Sequence, residues 1–512
     1  MLARTRTFTI EGLHTRPVMV EVDIRAGLPG FAIVGLADTS VREARERVQA
    51  AILNSGYEFP ARKITVNLAP GDVPKVGPGL DLALACGVLA ASDQIPKERL
   101  DDHALFGELA LDGGVRGVQG TLAIAQMCAE ADVSTLVLAP ERAREATLVS
   151  GVRIAPAATL ASAVDVLCGE EPDPLPAPAD PPNSMSDSGG VLPEPDLKEV
   201  RGQHHAVRAL IVAAAGAHNC LLSGSPGTGK TMLAQRTPSI LPALSPQEAI
   251  EVTRIHSITG DLDGELARTR PFRAPHHSIT TAGLVGGANK GWVGEVVLAH
   301  RGVLFLDELA EFSKPTLEAL RQPLEDGRVA IVRARHSAVY PTRFMLLAAT
   351  NPCPCGYADE GELCRCSETD RARHQRKLSG PLLDRIDLQA KLENAGVGGL
   401  NAEPLTDSAK ARELVTEARE RQARRLREES VSVNAQLDAR LLERHVRLDG
   451  GGERLLSEAY ARGKLSARGQ HRTLRIARTL ADLGGCERVS MRDVGVALSL
   501  RPETGLRGSR AA

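Results

Sequence analysis

Aromatic side chains are scarce in this chain. Phe, Tyr and Trp together supply 3% of the 512 residues, and tryptophan occurs once. A core must therefore be built from Leu, Val, Ala and Ile. An excess of one charge is also missing, since 62 Lys and Arg face 64 Asp and Glu for a formal net charge of −2. Whole-chain charge excludes the strongly basic class of nucleic-acid binder, so any basic surface has to be local. No apolar run is long enough to span a bilayer, which argues against a membrane partner. Met1 to Phe8 has no apolar stretch of the signal-peptide kind. Cysteine is present nine times, an odd number. Five of these (Cys86, Cys128, Cys168, Cys220, Cys486) are scattered through apolar or helical contexts, which suits reduced thiols and a cytoplasmic setting. What remains has globular proportions, 43% hydrophobic and 25% charged. At this length one core is not enough, and two to four domains are expected.

The strongest local signal is Gly224-Ser225-Pro226-Gly227-Thr228-Gly229-Lys230-Thr231. It satisfies the phosphate-loop pattern G-x-x-x-x-G-K-[ST] at every fixed position. A triphosphate needs backbone N–H groups aimed at it without side chains in the way, and the three glycines supply both the space and the φ > 0 freedom. Lys230 offers a charge to the β- and γ-phosphates, and Thr231 a hydroxyl to Mg²⁺. Cys220-Leu-Leu precedes the loop as a strand, and Thr231-Met-Leu-Ala-Gln follows as a helix start, which favours anions. ATP with Mg²⁺ is thus the expected cofactor pair.

Residues 1–168 read as one α/β domain. Strands are expected at Val18–Ile24, Phe31–Leu36, Lys63–Leu68 and Ser134–Ala139, with the last closing the domain. Helices are expected at Ser40–Ser55, Leu80–Ala91 and Thr121–Ala131. Two segments, Pro74-Lys-Val-Gly-Pro-Gly79-Leu-Asp81 and Gly107-Glu-Leu-Ala-Leu-Asp-Gly-Gly-Val-Arg-Gly-Val118, resemble the Lon-type peptidase domain with its ribosomal-S5-like fold. Gly79 falls where that family carries its nucleophilic Ser, and Leu122 near its general-base Lys. Without a hydroxyl and an amine there is no dyad, so this domain is expected to be a catalytically dead scaffold. Residues 169–197 turn Pro-rich, acidic and then Ser/Gly-rich, the composition of an extended linker.

Residues 198–397 carry the nucleotide chemistry. Arg301-Gly-Val-Leu-Phe-Leu-Asp307-Glu308 reads as a buried strand ending in two acids, with Asp307 placed to hold Mg²⁺ and Glu308 to activate water. Phe344 to Ala349 is a second buried strand, ending in Thr350-Asn351. Ser379-Gly-Pro-Leu-Leu-Asp384-Arg385-Ile-Asp387 offers an arginine in a loop or short helix end. Residues 398–512 look mainly helical. Asp407–Glu429 has a partial apolar stripe of Ala411, Leu414, Val415, Ala418 and Leu426, and Leu465–Arg478 is a basic helix.

This ordered set resembles the AAA+ ATPases, a P-loop α/β domain followed by a helical lid. Arg273-Ala-Pro-His-His-Ser-Ile-Thr-Thr-Ala-Gly-Leu-Val-Gly-Gly-Ala and Ser379–Asp387 look like the magnesium-chelatase-like branch, and the Lon-like N-terminal domain narrows the likeness to the YifB/ComM group. The resemblance implies a ring, expected to be a homo-hexamer, that hydrolyses ATP between subunits. It implies Gln203 beside the adenine, Asn351 orienting water near the γ-phosphate, and Arg385 reaching a neighbouring subunit's site. Arg468, or else Arg475 two turns on, would be the lid's sensor arginine. It also implies DNA branch migration during natural transformation, although a chelatase-type remodeller acting on a protein shares the same ATPase site.

Two insertions bear on DNA. Ala282–Val297 contains Gly-Gly-Ala-Asn-Lys290-Gly-Trp292 in a Gly-rich loop, and Gly327–Arg343 reads as a hairpin with Arg333 and Arg335. Lys290, Arg333 and Arg335 could contact phosphates and Trp292 stack on a base, or else Arg333 and Arg335 are solvated strand positions and Trp292 fills a subunit interface. Finally, Cys353-Pro-Cys355 and Cys364-Arg-Cys366 place four thiols in one short loop. That matches a structural Cys₄ zinc site, although C-x₂-C is the commoner knuckle.

Overall fold

The computed structural model describes residues 1–175, 195–259, 266–287, 293–333, 336–358, 363–377, 380–394, 396, 399, 401–462 and 465–501. The chain divides into two compact units. The first comprises Met1–Ser188, Pro246–Ala267 and Val332–Tyr340; the second comprises Gly189–Ser245, Arg268–Ile331 and Pro341–Ala512. The stretch 198–397, expected as one module, therefore lends two excursions to the first unit.

The first unit contains β1 (Leu2–Glu11), β2 (His14–Arg25), β3 (Gly30–Val34), β4 (Lys63–Ala69), β5 (His103–Phe106), the short pair β6 (Glu108–Leu109) and β7 (Val115–Arg116), β8 (Thr135–Leu138) and β9 (Arg153–Pro156). Seven of these form one sheet in the order β3-β4-β2-β1-β5-β8-β9. The antiparallel β1–β2 pair runs in full register from Leu2 opposite Asp23 to Glu11 opposite His14. Helix Asp81–Ala91 is buried on every face, as its near-continuous apolar sequence requires. Its first residue, Asp81, accepts two hydrogen bonds from Arg47 (2.6 and 3.1 Å) and one from Leu109 N–H. Burial still pushes its carboxyl up to about 6.

At the position aligned with a peptidase nucleophile, Gly79 is buried, and a Cβ there would stand 2.4 Å from the Phe106 ring. Leu122 is buried and its N–H donates to Glu145 Oε1 at 2.9 Å. The same oxygen accepts the Ser257 hydroxyl from the helix Pro246–Thr259.

The domain does not close at β8. Helix Pro140–Ala146, β9 and helix Leu160–Cys168 follow, and their apolar residues join the same cores. The expected linker lies mostly at 176–194, outside the described residues. Its described start packs back, with Asp173 accepting from Ala158 N–H at 2.6 Å.

The second unit is built on β10 (Cys220–Ser223), β11 (Phe272–Arg273), β12 (Val303–Leu306), β15 (Met345–Thr350) and β16 (Leu388–Lys391). Between β12 and β15 lies the hairpin of β13 (Arg328–Arg333) and β14 (His336–Pro341). The sheet order is β11-β12-β15-β10-β16, with every pairing parallel. Helices on a parallel sheet bury both strand faces, which explains why the runs CLLS, VLFL and MLLAAT do not alternate.

Helices Ser408–Arg425, Ala439–His445, Gly450–Ala461, Ala467–Leu483 and Met491–Ser499 complete the unit, each started by an Asp or Ser cap. On the first of these Leu414 is exposed, contrary to the expected stripe, and Gln422 takes an inward place, donating to Ala215 O at 2.9 Å. Among the described residues no helix is long and apolar enough to cross a membrane.

Candidate nucleotide-binding site

The site is assembled at the carboxyl ends of three adjacent strands, β12, β15 and β10, where ligands of open α/β sheets bind. The phosphate loop leaves β10, Asp307 and Glu308 leave β12, and Asn351 leaves β15. Gly227 and Gly229 hold φ of +79° and +90°, left-handed values that a side chain would oppose. A Cβ on Gly227 would meet nothing within 4 Å, so the loop is open there. Gly224 answers a different need, since its Cβ would sit 2.5 Å from Leu392 O. Thr228 closes the loop on itself by donating to Ser225 O at 2.9 Å.

Lys230 Nζ donates to Gly224 O (2.7 Å), Ser225 O (2.9 Å) and Asn351 Oδ1 (3.0 Å). Burial pulls its pKa below the ordinary lysine value, and the nearby Asp307 and Glu308 oppose that pull. Thr231 Oγ1 donates to Asp307 Oδ2 at 2.6 Å, while Asp307 Oδ1 accepts Glu308 N–H at 2.9 Å. A hydroxyl beside a carboxylate is a donor set for a hard divalent cation. With the open glycine loop and the lysine, these residues fit a magnesium–triphosphate.

Glu308 sits at φ +50°, a left-handed conformation uncommon for a side-chain-bearing residue. Its Oε2 lies 3.4 Å from His277 Nδ1. His277 stacks near His276, with ring centroids 4.0 Å apart, and its edge meets Phe312. Thr231, Phe305, Asp307, Glu308, His276 and His277 line one cavity of about 310 Å³. In the sequence His276-His277 stands out only as part of the magnesium-chelatase-like segment 273–288. A histidine pair four residues past a strand start gave no sign that one ring would face Glu308.

The remaining expected residues are distributed as follows. Gln203 donates to Glu393 O (2.7 Å) and, at 3.4 Å, to the loop's Thr228 O. Arg385 follows helix Gly380–Leu383 and pairs with Glu325. Arg468 is exposed and 3.8 Å from Asp384. Arg475 is directed elsewhere, its Nε donating to Leu437 O at 2.7 Å inside the lid. Arg472, absent from the sequence expectations, lies 3.5 Å from Asp384 and donates to Ile386 O at 3.0 Å.

The Gly-rich segment 282–297 is partly helical where described, with Thr281–Val285 and Glu295–Leu298 as short helices. Lys290, Trp292, Arg335 and the Arg333 side chain lie outside the described residues.

The four clustered thiols converge. Cys353 Sγ is 3.3 Å from Cys355 Sγ and 3.7 Å from Cys364 Sγ, and Cys355 Sγ is 3.6 Å from Cys364 Sγ. All four ligand atoms, Cys366 included, lie within 4.8 Å of one another. These separations are far beyond a disulfide bond. They approach the edge of a tetrahedron with metal–sulfur bonds of about 2.3 Å.

Known proteins match this chain along almost its whole length. The model for magnesium chelatase, subunit ChlI, matches residues 196–398. A second model for subunit ChlI matches 20–142, and one for its C-terminal region matches 406–501. An uncharacterised protein of Mycobacterium tuberculosis is 43% identical over 510 residues, covering 99% of each chain. YifB of Salmonella typhimurium is 41% identical over 503 residues, covering 98% of this chain and 97% of that protein. Competence protein ComM of Haemophilus influenzae is 41% identical over 500 residues, 96% of this chain and 95% of that one. A local likeness to the archaeal Lon protease of Archaeoglobus fulgidus, 47% identical, extends over 52 residues, 10% of this chain and 8% of that protein. Matching motifs, site geometry and relatives along almost the whole length place this chain in the YifB/ComM family of magnesium-chelatase-like AAA+ proteins.

Proposed function

We propose that the protein hydrolyses ATP as a homo-hexameric ring and acts on DNA as a branch-migration helicase or translocase in recombination or natural transformation. The observation that carries the ATPase reading is the meeting of Lys230, Asp307, Glu308 and Asn351 at three adjacent strand ends. In this reading the Gly224–Thr231 backbone and Lys230 bind the phosphates, and Thr231 with Asp307 holds Mg²⁺. When bound, Mg²⁺ supplies charge neutralisation at the β- and γ-phosphates. Glu308 takes the proton of the attacking water, and Asn351 orients that water. Gln203 borders the base. Arg385 serves the neighbouring subunit, Arg468 is the lid arginine, and Arg475, whose Nε donates to Leu437 O, has the weaker claim.

The layout that fits this role is a Lon-like scaffold without peptidase chemistry at 1–168, a linker at 169–197, the AAA+ core at 198–397 and a helical lid at 398–512. Lys290, Trp292, Arg333 and Arg335 are assigned to the DNA path. The Cys₄ cluster is assigned as a structural zinc site. Nine cysteines with no disulfide support a reducing, cytoplasmic setting.

The test is ATP turnover by the purified protein with and without branched and single-stranded DNA across a salt series. Salt-sensitive stimulation supports phosphate contacts, and the Lys290→Ala/Arg333→Ala double variant should lose it. The net charge of −2 favours a second reading, a chelatase-type remodeller of a protein partner. Turnover indifferent to DNA would select that reading.

A further inference from the structure

The thiol cluster is built onto the nucleotide site. Cys353 follows the β15 terminus by three residues, and between them stands Asn351, whose side chain accepts Lys230 Nζ. The cluster's own turn, Cys353 O to Gly356 N–H at 2.9 Å, places Gly356 at φ +89° directly on the phosphate loop. A Cβ on Gly356 would stand 2.5 Å from Pro226 Cδ and 2.6 Å from Cγ. From the far side, helix Glu368–Lys377 begins two residues after Cys366 and sends buried His374 back to Asn351, with Nε2 and the backbone carbonyl 3.0 Å apart. Arg371 of the same helix lies beside Cys364, a cation next to a cluster that is net negative when four thiolates hold a divalent ion. Asn351 is thus gripped through its backbone from the helix, and Pro226 is packed from the knuckle.

We propose that the Cys353/Cys355/Cys364/Cys366 centre is a metal-dependent brace for the nucleotide site, so that occupancy by a thiophilic divalent cation sets nucleotide affinity through Pro226 and Asn351. This rests on the zinc assignment above. Without the ion, four thiols in a short loop have no reason to keep Gly356 against Pro226. The centre acts by positioning and touches no phosphate.

The experiment pairs zinc content, by inductively coupled plasma mass spectrometry, with binding of a fluorescent ATP analogue to the full-length protein. The wild type is expected to carry about one zinc per chain. Cys364→Ser should lose the zinc and weaken nucleotide binding about tenfold or more. Gly356→Ala keeps all four thiols, and should weaken binding severalfold while zinc stays bound. His374→Ala leaves both the thiols and the phosphate loop intact, and should raise the dissociation constant severalfold with zinc unchanged.

Wild-type protein without zinc overturns the metal assignment and the brace with it. Zinc at one per chain, together with unaltered nucleotide binding in Gly356→Ala and His374→Ala, overturns the brace and leaves the metal assignment standing. If Cys364→Ser does not fold or Gly356→Ala sheds its zinc, wild-type protein stripped of zinc by a chelator takes their place, and unaltered nucleotide binding by the zinc-free protein overturns the brace.

Discussion

Two glycines show how this chain treats its two potential active sites. In the phosphate loop, a Cβ on Gly227 would meet nothing within 4 Å, and the surrounding Lys230, Thr231 and Asp307 offer donors and acceptors around open space. In the N-terminal unit, Gly79 stands at the place aligned with a peptidase nucleophile, and the Phe106 ring fills the space a side chain would need. The nearby Asp81 is engaged by Arg47, and Leu122 is packed into the core. One glycine keeps room for a ligand, and the other has had its room packed away. A glycine at a motif position is therefore informative only together with what faces it.

The comparison can be broken at the first site most sharply. In the proposed function Lys230 binds the phosphates, so Lys230→Ala should lower ATP turnover about 10²–10³-fold, measured by phosphate release. Glu308→Gln removes the proposed proton acceptor and should lower kcat about 10²-fold with nucleotide affinity kept, read by pairing turnover with analogue binding. His277→Ala frees the Glu308 carboxylate from its neighbour at 3.4 Å. It should lower kcat about tenfold, the scale of one hydrogen bond to a charged group, with little change in KM. The smallest effect on activity is expected at the other site. Gly79→Ser should leave ATP turnover unchanged and create no peptide hydrolysis. It should cost about 1–3 kcal/mol of stability through overpacking against Phe106, seen as a lowered Tm.

The nucleotide corner was legible because its strands are buried on both faces. CLLS, VLFL and MLLAAT are largely apolar runs followed directly by the phosphate loop, Asp307-Glu308 and Asn351, so strand and candidate site announce each other. The first unit was less legible. β1, which lies inside the seven-stranded sheet between β2 and β5, has the sequence LARTRTFTIE and buries Thr5, Thr7 and Thr9. Its inward face is largely hydroxyl-bearing, so no hydrophobic alternation marks it. Gln422 escaped notice for the same reason, since a buried amide with a carbonyl partner looks like a surface residue in sequence. Leu414 erred the other way, an apolar residue at helical spacing left in solvent. The pairing of His277 with Glu308 and the place of Arg472 beside Asp384 depend on contacts between distant segments, which spacing along the chain does not encode.

The most direct measurement is steady-state ATP turnover of the wild type beside Lys230→Ala, both confirmed folded by their melting curves. The account predicts magnesium-dependent hydrolysis by the wild type and almost none by the variant. Equal turnover by the two proteins, or none by a folded wild type under any DNA or salt condition, would contradict it.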